Sequence, residues 1–301
     1  MRQQQIKERI PTKEDIISSI GTYVDPMSDF GFKHLFGQEP HKDLLIDFLN
    51  QLLAKKGKHI VDLTYNRNET VEPNKDARKT IYDLTCTGKD GEKFIIEVQR
   101  VNQPFFKDRA VYYTSAVIRK QGLRGKKWNY GLKEVYFIGL MDFSFKDSAP
   151  DQYLRRVQLY GENEKQPFYD KLSFTFIEIP KFTKKEEELE TGLDRWLYVL
   201  KNMSRLKKIP VILNKTILQK LFTIAAVANL SKEEYMRYQK NLMDYWDAYA
   251  SLQAEREKGR QEGREELIRN FLKTGDFTIR QLAISAGVSE AFVRKVKKTL
   301  E

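Results

Sequence analysis

The stretch EVYFIGLMDF, residues 134–143, constrains the fold of this chain more than any other segment. Its near-continuous apolar run is typical of a β-strand that is buried on both faces, because a strand facing water alternates polar and apolar residues. A strand buried in this way lies within a sheet that helices cover. The run therefore predicts an α/β fold with helices packed against a central sheet.

Helix and strand patterns surround this run in an order that supports a mixed sheet. A helix follows Ser28, a plausible N-cap, and an amphipathic helix follows Pro40 and ends at Gly57. Further helical periodicity is present in residues 104–122. Strands are predicted at residues 59–69, 79–88, 92–100, 153–160 and 172–179.

The chain becomes helical from about residue 184. Residues 256–265 carry charges on all sides and two glycines, which indicates a solvated helix or a flexible connector. Two short helices are predicted around Gly287, the second of them capped by Ser289. We therefore expect four parts: a poorly packed lead-in (1–24), an α/β core (25–183) that carries the family resemblance described below, a helical region (184–255) and a charged connector with a helix-turn-helix-like tail (256–301).

The charge balance favours polyanionic partners. The formal net charge is +11 and the isoelectric point is about 9.4. A positive field of this kind attracts nucleic acid through counterion release. It also suits an anionic membrane surface or simple solubility, so it does not identify a partner by itself.

Cysteine content and hydropathy indicate a cytoplasmic protein. Cys86 is the only cysteine, which excludes a disulfide within the chain and a zinc cluster built on cysteines. The first residues contain no apolar segment of the kind that a secretory signal needs. The most apolar later stretch, residues 209–230, is interrupted by polar side chains, so no membrane span is expected.

Polar side chains interrupt the predicted hairpin at residues 81–100, which turns at Asp90–Gly91. We expect Asp83 in its first strand and Glu97 with Gln99 in its second. Because side chains alternate along a strand, Glu97 and Gln99 lie on the same face, and one strand register brings Asp83 level with them. Two interpretations are open: a hairpin with one solvated face, or a carboxylate pair that binds a divalent metal, which offsets the repulsion between buried like charges.

These residues resemble a known signature. Asp83, followed by Glu97-Val98-Gln99, resembles the D…(D/E)-x-K motif of PD-(D/E)XK nucleases, with glutamine in the lysine position. Further stretches, in the family's order, resemble the recombination-promoting nucleases (Rpn group) among the PD-(D/E)XK nuclease family transposases. Over residues 22–145 these are SDFGFKHLFG, KDLLIDFLNQLL, IYDLTCTGKDGEKFIIEVQ, FKDRAVYYTSAVIRKQGLRGKKWNY and VYFIGLMDF.

The resemblance implies a restriction-endonuclease-like, PD-(D/E)XK nuclease core in residues 25–183 and metal-dependent hydrolysis of DNA. It implies that Asp83 and Glu97 bind Mg²⁺ or Mn²⁺ and that Gln99 stands beside the attacking water. Asp29 matches the family's early acidic position, and Lys33, one helical turn later, places a cation towards the phosphate. An amide orients water but supplies no positive charge, so Gln99 shifts the activation of water onto the metal.

Other basic residues are candidates for DNA contacts. Arg109 either touches a phosphate or a catalytic carboxylate, or it is a face residue whose stem packs while its head reaches water. A basic loop contains Arg124, Lys126 and Lys127, which could clasp backbone phosphates. The residues Arg294, Lys295, Lys297 and Lys298 lie on the last predicted helix, which either contacts DNA or belongs to a helical hairpin used for packing or self-association.

Together with the residue patterns, the resemblance implies a cytoplasmic, Mg²⁺-dependent DNA endonuclease with a role in recombination, and homo-oligomerisation is left open. The alternative is a weak or inactive nuclease fold that binds DNA or a partner in association with mobile elements. True transposase activity is a third hypothesis, although no residue of the sequence demonstrates strand transfer.

Overall fold

The computed structural model describes residues 12–66, 69–70, 80–122 and 129–300. In these ranges the helices are α1 (Lys13–Ser18), α2 (Asp29–Phe36), α3 (Lys42–Leu53), α4 (Phe106–Lys120), α5 (Gly192–Asn202), α6 (Thr216–Ala225), α7 (Lys232–Thr274), α8 (Ile279–Ala286) and α9 (Glu290–Lys298). The strands there are β1 (Leu63–Tyr65), β2 (Glu69–Thr70), β3 (Thr80–Ile81), β4 (Leu84–Gly88), β5 (Lys93–Gln99), β6 (Val135–Met141), β7 (Leu154–Tyr160) and β8 (Pro167–Glu178). None of the helices in the described ranges combines the length and apolar character that a membrane crossing requires.

Six strands form one mixed sheet in the order β1-β4-β5-β6-β8-β7. β6 pairs in parallel with β5 on one side and with β8 on the other, and the remaining neighbours are antiparallel. Every residue of β6 is buried, as its apolar run predicts. The predicted α/β class with a mixed central sheet and flanking helices is confirmed.

One face of the sheet packs against α4. Phe106 and Ala110 of this helix belong to the same buried cluster as Ile95 of β5 and Phe137 of β6. The ring centroids of Phe106 and Phe137 lie 6.3 Å apart. Because side chains alternate along a strand, Glu97 lies on the face of β5 that Ile95 occupies.

Helices α3 and α5 form a second aromatic and aliphatic core. The apolar stripe of α3 is fully buried, and Phe48 lies 5.7 Å from the ring of Trp196 in α5. The indole N–H of Trp196 donates to Asp47 Oδ2 at 2.6 Å, which satisfies its polar atom within this core. Just after α3, Lys56 lies 5.2 Å from the ring of Tyr136. Because Tyr136 and Phe137 are consecutive in β6, their side chains lie on opposite faces of the sheet.

The lead-in packs more closely than the sequence predicts. Tyr23 and Val24 are buried, and the Tyr23 ring lies 5.0 Å from Phe222 of α6. The Val24 N–H donates to the Ala225 carbonyl at 2.8 Å. The expectation of poor packing is wrong for these residues, because a short backbone pairing fixes their few apolar side chains against α6.

The described chain divides into two compact units. One is Lys13–Leu242, and the other contains the part of α7 from Met243 onward together with α8 and α9. The second unit has its own core, formed by residues of α7, α8 and α9: Ile268, Leu282, Ala283, Val293 and Val296. The predicted divisions at residues 183/184 and 255/256 stay predictions.

Candidate active site

The hairpin of β4 and β5 brings Asp83 and Glu97 together. Its register pairs Leu84 with Ile96, which puts Asp83 level with Glu97. The Asp83 N–H donates to Glu97 Oε1 at 3.2 Å, and the Val98 N–H donates to Asp83 Oδ2 at 2.7 Å. Asp83 lies in a bend just before β4 and not within the strand as predicted, because its side chain takes part in the bonding to β5.

Burial of Glu97 excludes one of the two interpretations of the hairpin. Only 3% of this residue is exposed, and it lies on the sheet face that also carries the buried Ile95. The solvated-face interpretation is therefore wrong for Glu97. Gln99, two residues further along the same face, is half-buried at the end of β5.

The pKa values of both carboxyl groups are raised above their ordinary values. Burial and then the charge of Asp83 raise the pKa of Glu97 to about 8, although the Asp83 N–H and the charges of Arg109 and Lys33 act in the opposite direction. Burial also raises the pKa of Asp83, against the bond from the Val98 N–H. A buried pair of this kind favours one retained proton or one bound cation at neutral pH.

The first turns of α2 bring Asp29 and Lys33 into the electrostatic field of this pair. Ser28 caps the helix by accepting a hydrogen bond from the Gly31 N–H at 3.0 Å. Asp29 and Lys33 lie one turn apart, and their side chains form an exposed ion pair of 2.5 Å. The charge of Lys33 lowers the pKa of Asp83 and the charge of Asp29 raises it, so both residues of α2 act electrostatically on the hairpin.

The loop before α2 is fixed by residues that the sequence did not reveal. Asp25 forms an ion pair of 3.2 Å with Arg100, which directly follows β5, and its N–H donates to the Tyr238 hydroxyl at 2.8 Å. Asp142 directly follows β6, and burial raises the pKa of its carboxyl. These charges lie at the carboxyl ends of two parallel strands, the edge where α/β sheets usually bind ligands, and that rule could have singled them out.

Arg109 acts on the carboxylate pair through its charge, and its contact with a phosphate or a carboxylate stays a prediction. Its guanidinium lies 5.1 Å from the Phe106 ring centroid, and one of its amino groups donates to Gln103 Oε1 at 2.7 Å. Its charge also lowers the pKa of Asp83 and of Glu97. Among the described residues, its buried Nε and Nη2 atoms have no hydrogen-bond partner, which is costly unless a ligand supplies one.

The donor set of the pair fits a hard divalent cation. Mg²⁺ prefers oxygen ligands, keeps several waters and is often bound through one or two carboxylates plus substrate phosphate. The half-buried Asp83 and the buried Glu97 supply two carboxyl groups, whose repulsion a cation would relieve. Across the described ranges, no group of three or more His, Cys, Asp or Glu side chains is placed to hold a metal.

A cleft of about 410 Å³ opens beside α2 and is lined by Asp29, Lys33 and Arg237 among others. A larger cavity of about 670 Å³ lies between the hairpin and the end of α4, where Lys93, Lys120 and Lys133 line it. Neither lining includes Asp83 or Glu97. The cleft beside α2 contains two of the other predicted residues, Asp29 and Lys33.

The remaining predicted residues do not belong to this cluster. Arg124, Lys126 and Lys127 lie outside the described residues. The four basic residues of α9 belong to the second compact unit and are exposed: Arg294, Lys295, Lys297 and Lys298.

Comparison with known proteins places the chain in a family. A family model described as "PD-(D/E)XK nuclease family transposase" matches residues 26–255, which include the hairpin, α2 and α4. A search of curated proteins and a search of solved structures gave no match. The match covers most of the chain, and the mixed sheet with flanking helices is consistent with the nuclease-like fold of that family. The chain belongs to the PD-(D/E)XK nuclease family transposases.

Proposed function

We propose that this protein is a Mg²⁺- or Mn²⁺-dependent DNA endonuclease that hydrolyses phosphodiester bonds. Family membership supports a nuclease-like function. The observation that carries the finer assignment is the close approach of Asp83 to the buried Glu97, whose pKa is about 8. Two carboxyl groups brought together in this way retain a proton or bind a cation, and metal-dependent hydrolysis uses the cation.

Asp83 and Glu97 hold the cation in this proposal, and Glu97 gives up its proton when the cation binds. The bond from the Val98 N–H fixes one Asp83 oxygen, which orients the carboxylate before any ligand arrives. A bound Mg²⁺ supplies Lewis acidity and lowers the pKa of a water molecule. The two carboxyl groups would hold the cation near the carboxyl end of β5.

Gln99 orients the attacking water by hydrogen bonds. Its amide offers both donor and acceptor atoms but no charge, unlike the lysine of the general motif. The positive charge near the phosphate comes from Lys33 and Arg109, whose charges already act on the carboxylate pair. The two buried donor atoms of Arg109 gain partners when they bind phosphate oxygens.

A second candidate function is a nuclease fold that binds DNA or a partner without efficient cleavage. Two observations favour it: the glutamine in the lysine position, and the lack of a third metal-binding side chain near the pair among the described residues. The two functions differ in one outcome, because a pure binder leaves DNA intact with every metal.

A plasmid-nicking assay with Mg²⁺, with Mn²⁺ and with EDTA tests the proposal. We expect nicking that EDTA abolishes, and a loss of at least about 100-fold in Asp83→Asn and in Glu97→Gln, because each removes a carboxylate from the cation. Asp90→Asn at the exposed hairpin turn is the matched control and should cleave normally. Circular dichroism verifies that the variants fold, and undiminished cleavage by both site variants would sink the assignment.

A further inference from the structure

The last two helices form a helix-turn-helix outside the residues that the family model matches. α8 ends at Gly287, whose φ of 61° is the left-handed conformation that glycine adopts readily. The Val288 N–H donates back to the Ala283 carbonyl at 3.0 Å, and Ser289 caps α9 through the Phe292 N–H at 3.2 Å. A three-residue turn containing glycine is the connection that this motif uses.

α9 divides into an apolar face and a basic face. Val293 and Val296 are buried in the core that α9 shares with α8 and with Ile268 of α7. The outward residues of this helix are exposed, and four of them are basic: Arg294, Lys295, Lys297 and Lys298. At 100° per residue, Lys298 lies almost opposite the buried Val293 and Val296. Arg294 and Lys295 lie about 50° to either side of the outward centre, and Lys297 lies towards the edge of the outward face.

We propose that α9 docks on double-stranded DNA, with its basic face against the phosphates that border the major groove. The residues from 279 to 298 contain five basic residues and one acidic residue. The acidic residue, Glu290, forms an ion pair of 3.0 Å with Arg294, which reduces its repulsion of phosphate. The contact adds a second DNA-binding surface and does not depend on the carboxylate pair.

Shape and charge favour duplex DNA over other partners. A helix with its side chains is about 10–12 Å wide and fits the major groove of B-DNA, which is about 12 Å wide. The major groove of duplex RNA is too narrow for side chains to enter. The apolar side of α9 is already used in its own core, so its outward face offers charge and not an apolar surface to a protein partner.

A second copy of this chain is the rival occupant of this region. Ile284 of α8 is 73% exposed, and an apolar side chain of this kind suits an interface between copies. Self-association through α8 predicts that removal of the α9 charges leaves DNA binding unchanged. DNA docking on α9 predicts that removal of these charges causes a large loss of DNA affinity.

Fluorescence anisotropy with a short labelled DNA duplex distinguishes DNA docking on α9 from self-association through α8. The full chain is used in EDTA, so that binding is measured without cleavage and a failed nuclease assignment leaves the result intact. The test variant is Lys295→Gln/Lys297→Gln/Lys298→Gln. The control, Lys258→Gln/Arg260→Gln/Arg264→Gln, removes the same charge from exposed positions of α7.

We expect the α9 variant to lose at least about tenfold in affinity, with a smaller salt dependence by about 0.9 per phosphate contact removed. The α7 variant should lose much less. Equal losses in the two variants would mean general electrostatic attraction and would overturn the proposal, as would no loss in either. A duplex RNA bound as tightly as DNA, with the same loss on α9 substitution, would also overturn it.

Discussion

At the scale of single residues, Glu97 connects the fold to the proposed chemistry. Burial and the charge of Asp83 raise its pKa from 4.5 to about 8, so the folded protein retains a proton that an unfolded chain releases. Between these two values the folded state binds more protons than the unfolded state, and its stability falls as the pH rises. A bound divalent cation would replace that proton and remove the penalty.

Glu97→Gln should therefore change stability in a pH-dependent way. In EDTA, we expect the variant to match the wild type near pH 5 and to exceed it at pH 9 by more than about 1 kcal/mol, because an amide needs no ionisation. Urea denaturation at several pH values measures the difference. Glu162→Gln, at an exposed position, is the control, and a Glu97→Gln difference that does not vary with pH would contradict the raised pKa of Glu97.

Strand alternation alone predicted part of this site. It put Glu97 and Gln99 on one face, and the register then put Asp83 level with Glu97. It could not predict the bend at Asp83, since that bend depends on side-chain bonds between strands. It also could not place Arg109, whose effect on the carboxylates depends on how α4 packs over the sheet.

At the scale of elements, the start of α2 sets where Asp29 and Lys33 lie. Gly31 is buried in this turn, and a Cβ at this position would lie 2.0 Å from the Asp25 carbonyl oxygen. Asp25 is in turn held by Arg100 at the end of β5. The close approach at Gly31 thus links the helix to the strand that carries Glu97 and Gln99.

Gly31→Ala should push the first turn of α2 away from the loop that contains Asp25. We expect destabilisation by about 1–3 kcal/mol from overpacking, and reduced cleavage because Asp29 and Lys33 move. Gly263→Ala, in an exposed part of α7 where a Cβ meets no atom within 4 Å, is the matched control and should stabilise by about 0.5–1 kcal/mol. Thermal denaturation and the nicking assay measure both, and an unperturbed Gly31→Ala protein would contradict this account of α2.

Local signals predicted the elements well where one residue determines a boundary. Ser28, Gly57, Gly287 and Ser289 end or begin helices as their chemistry requires. The packing of Tyr23 against Phe222 was not predictable, because these residues lie far apart in sequence and no local pattern connects them. The parallel pairing of β6 with β8 was not predictable for the same reason, because it depends on contacts between residues far apart in sequence.

At the scale of the whole molecule, a net charge of +11 is distributed over two units with different proposed roles. The family match ends at residue 255, before α8 and α9. Composition could predict the attraction to polyanions, but it could not assign that attraction to the surroundings of the hairpin or to a helix. The assignment needed the exposed face of α9 and the buried pair in the hairpin.

The central claim is that Asp83 and Glu97 together hold a divalent cation. Anomalous diffraction from crystals soaked in Mn²⁺ at a pH above about 8, where Glu97 is ionised, tests it most directly. The account predicts an anomalous peak in contact with both carboxylates, and no such peak in crystals of Glu97→Gln. Wild-type crystals that bind Mn²⁺ elsewhere and show no density at this pair would contradict it.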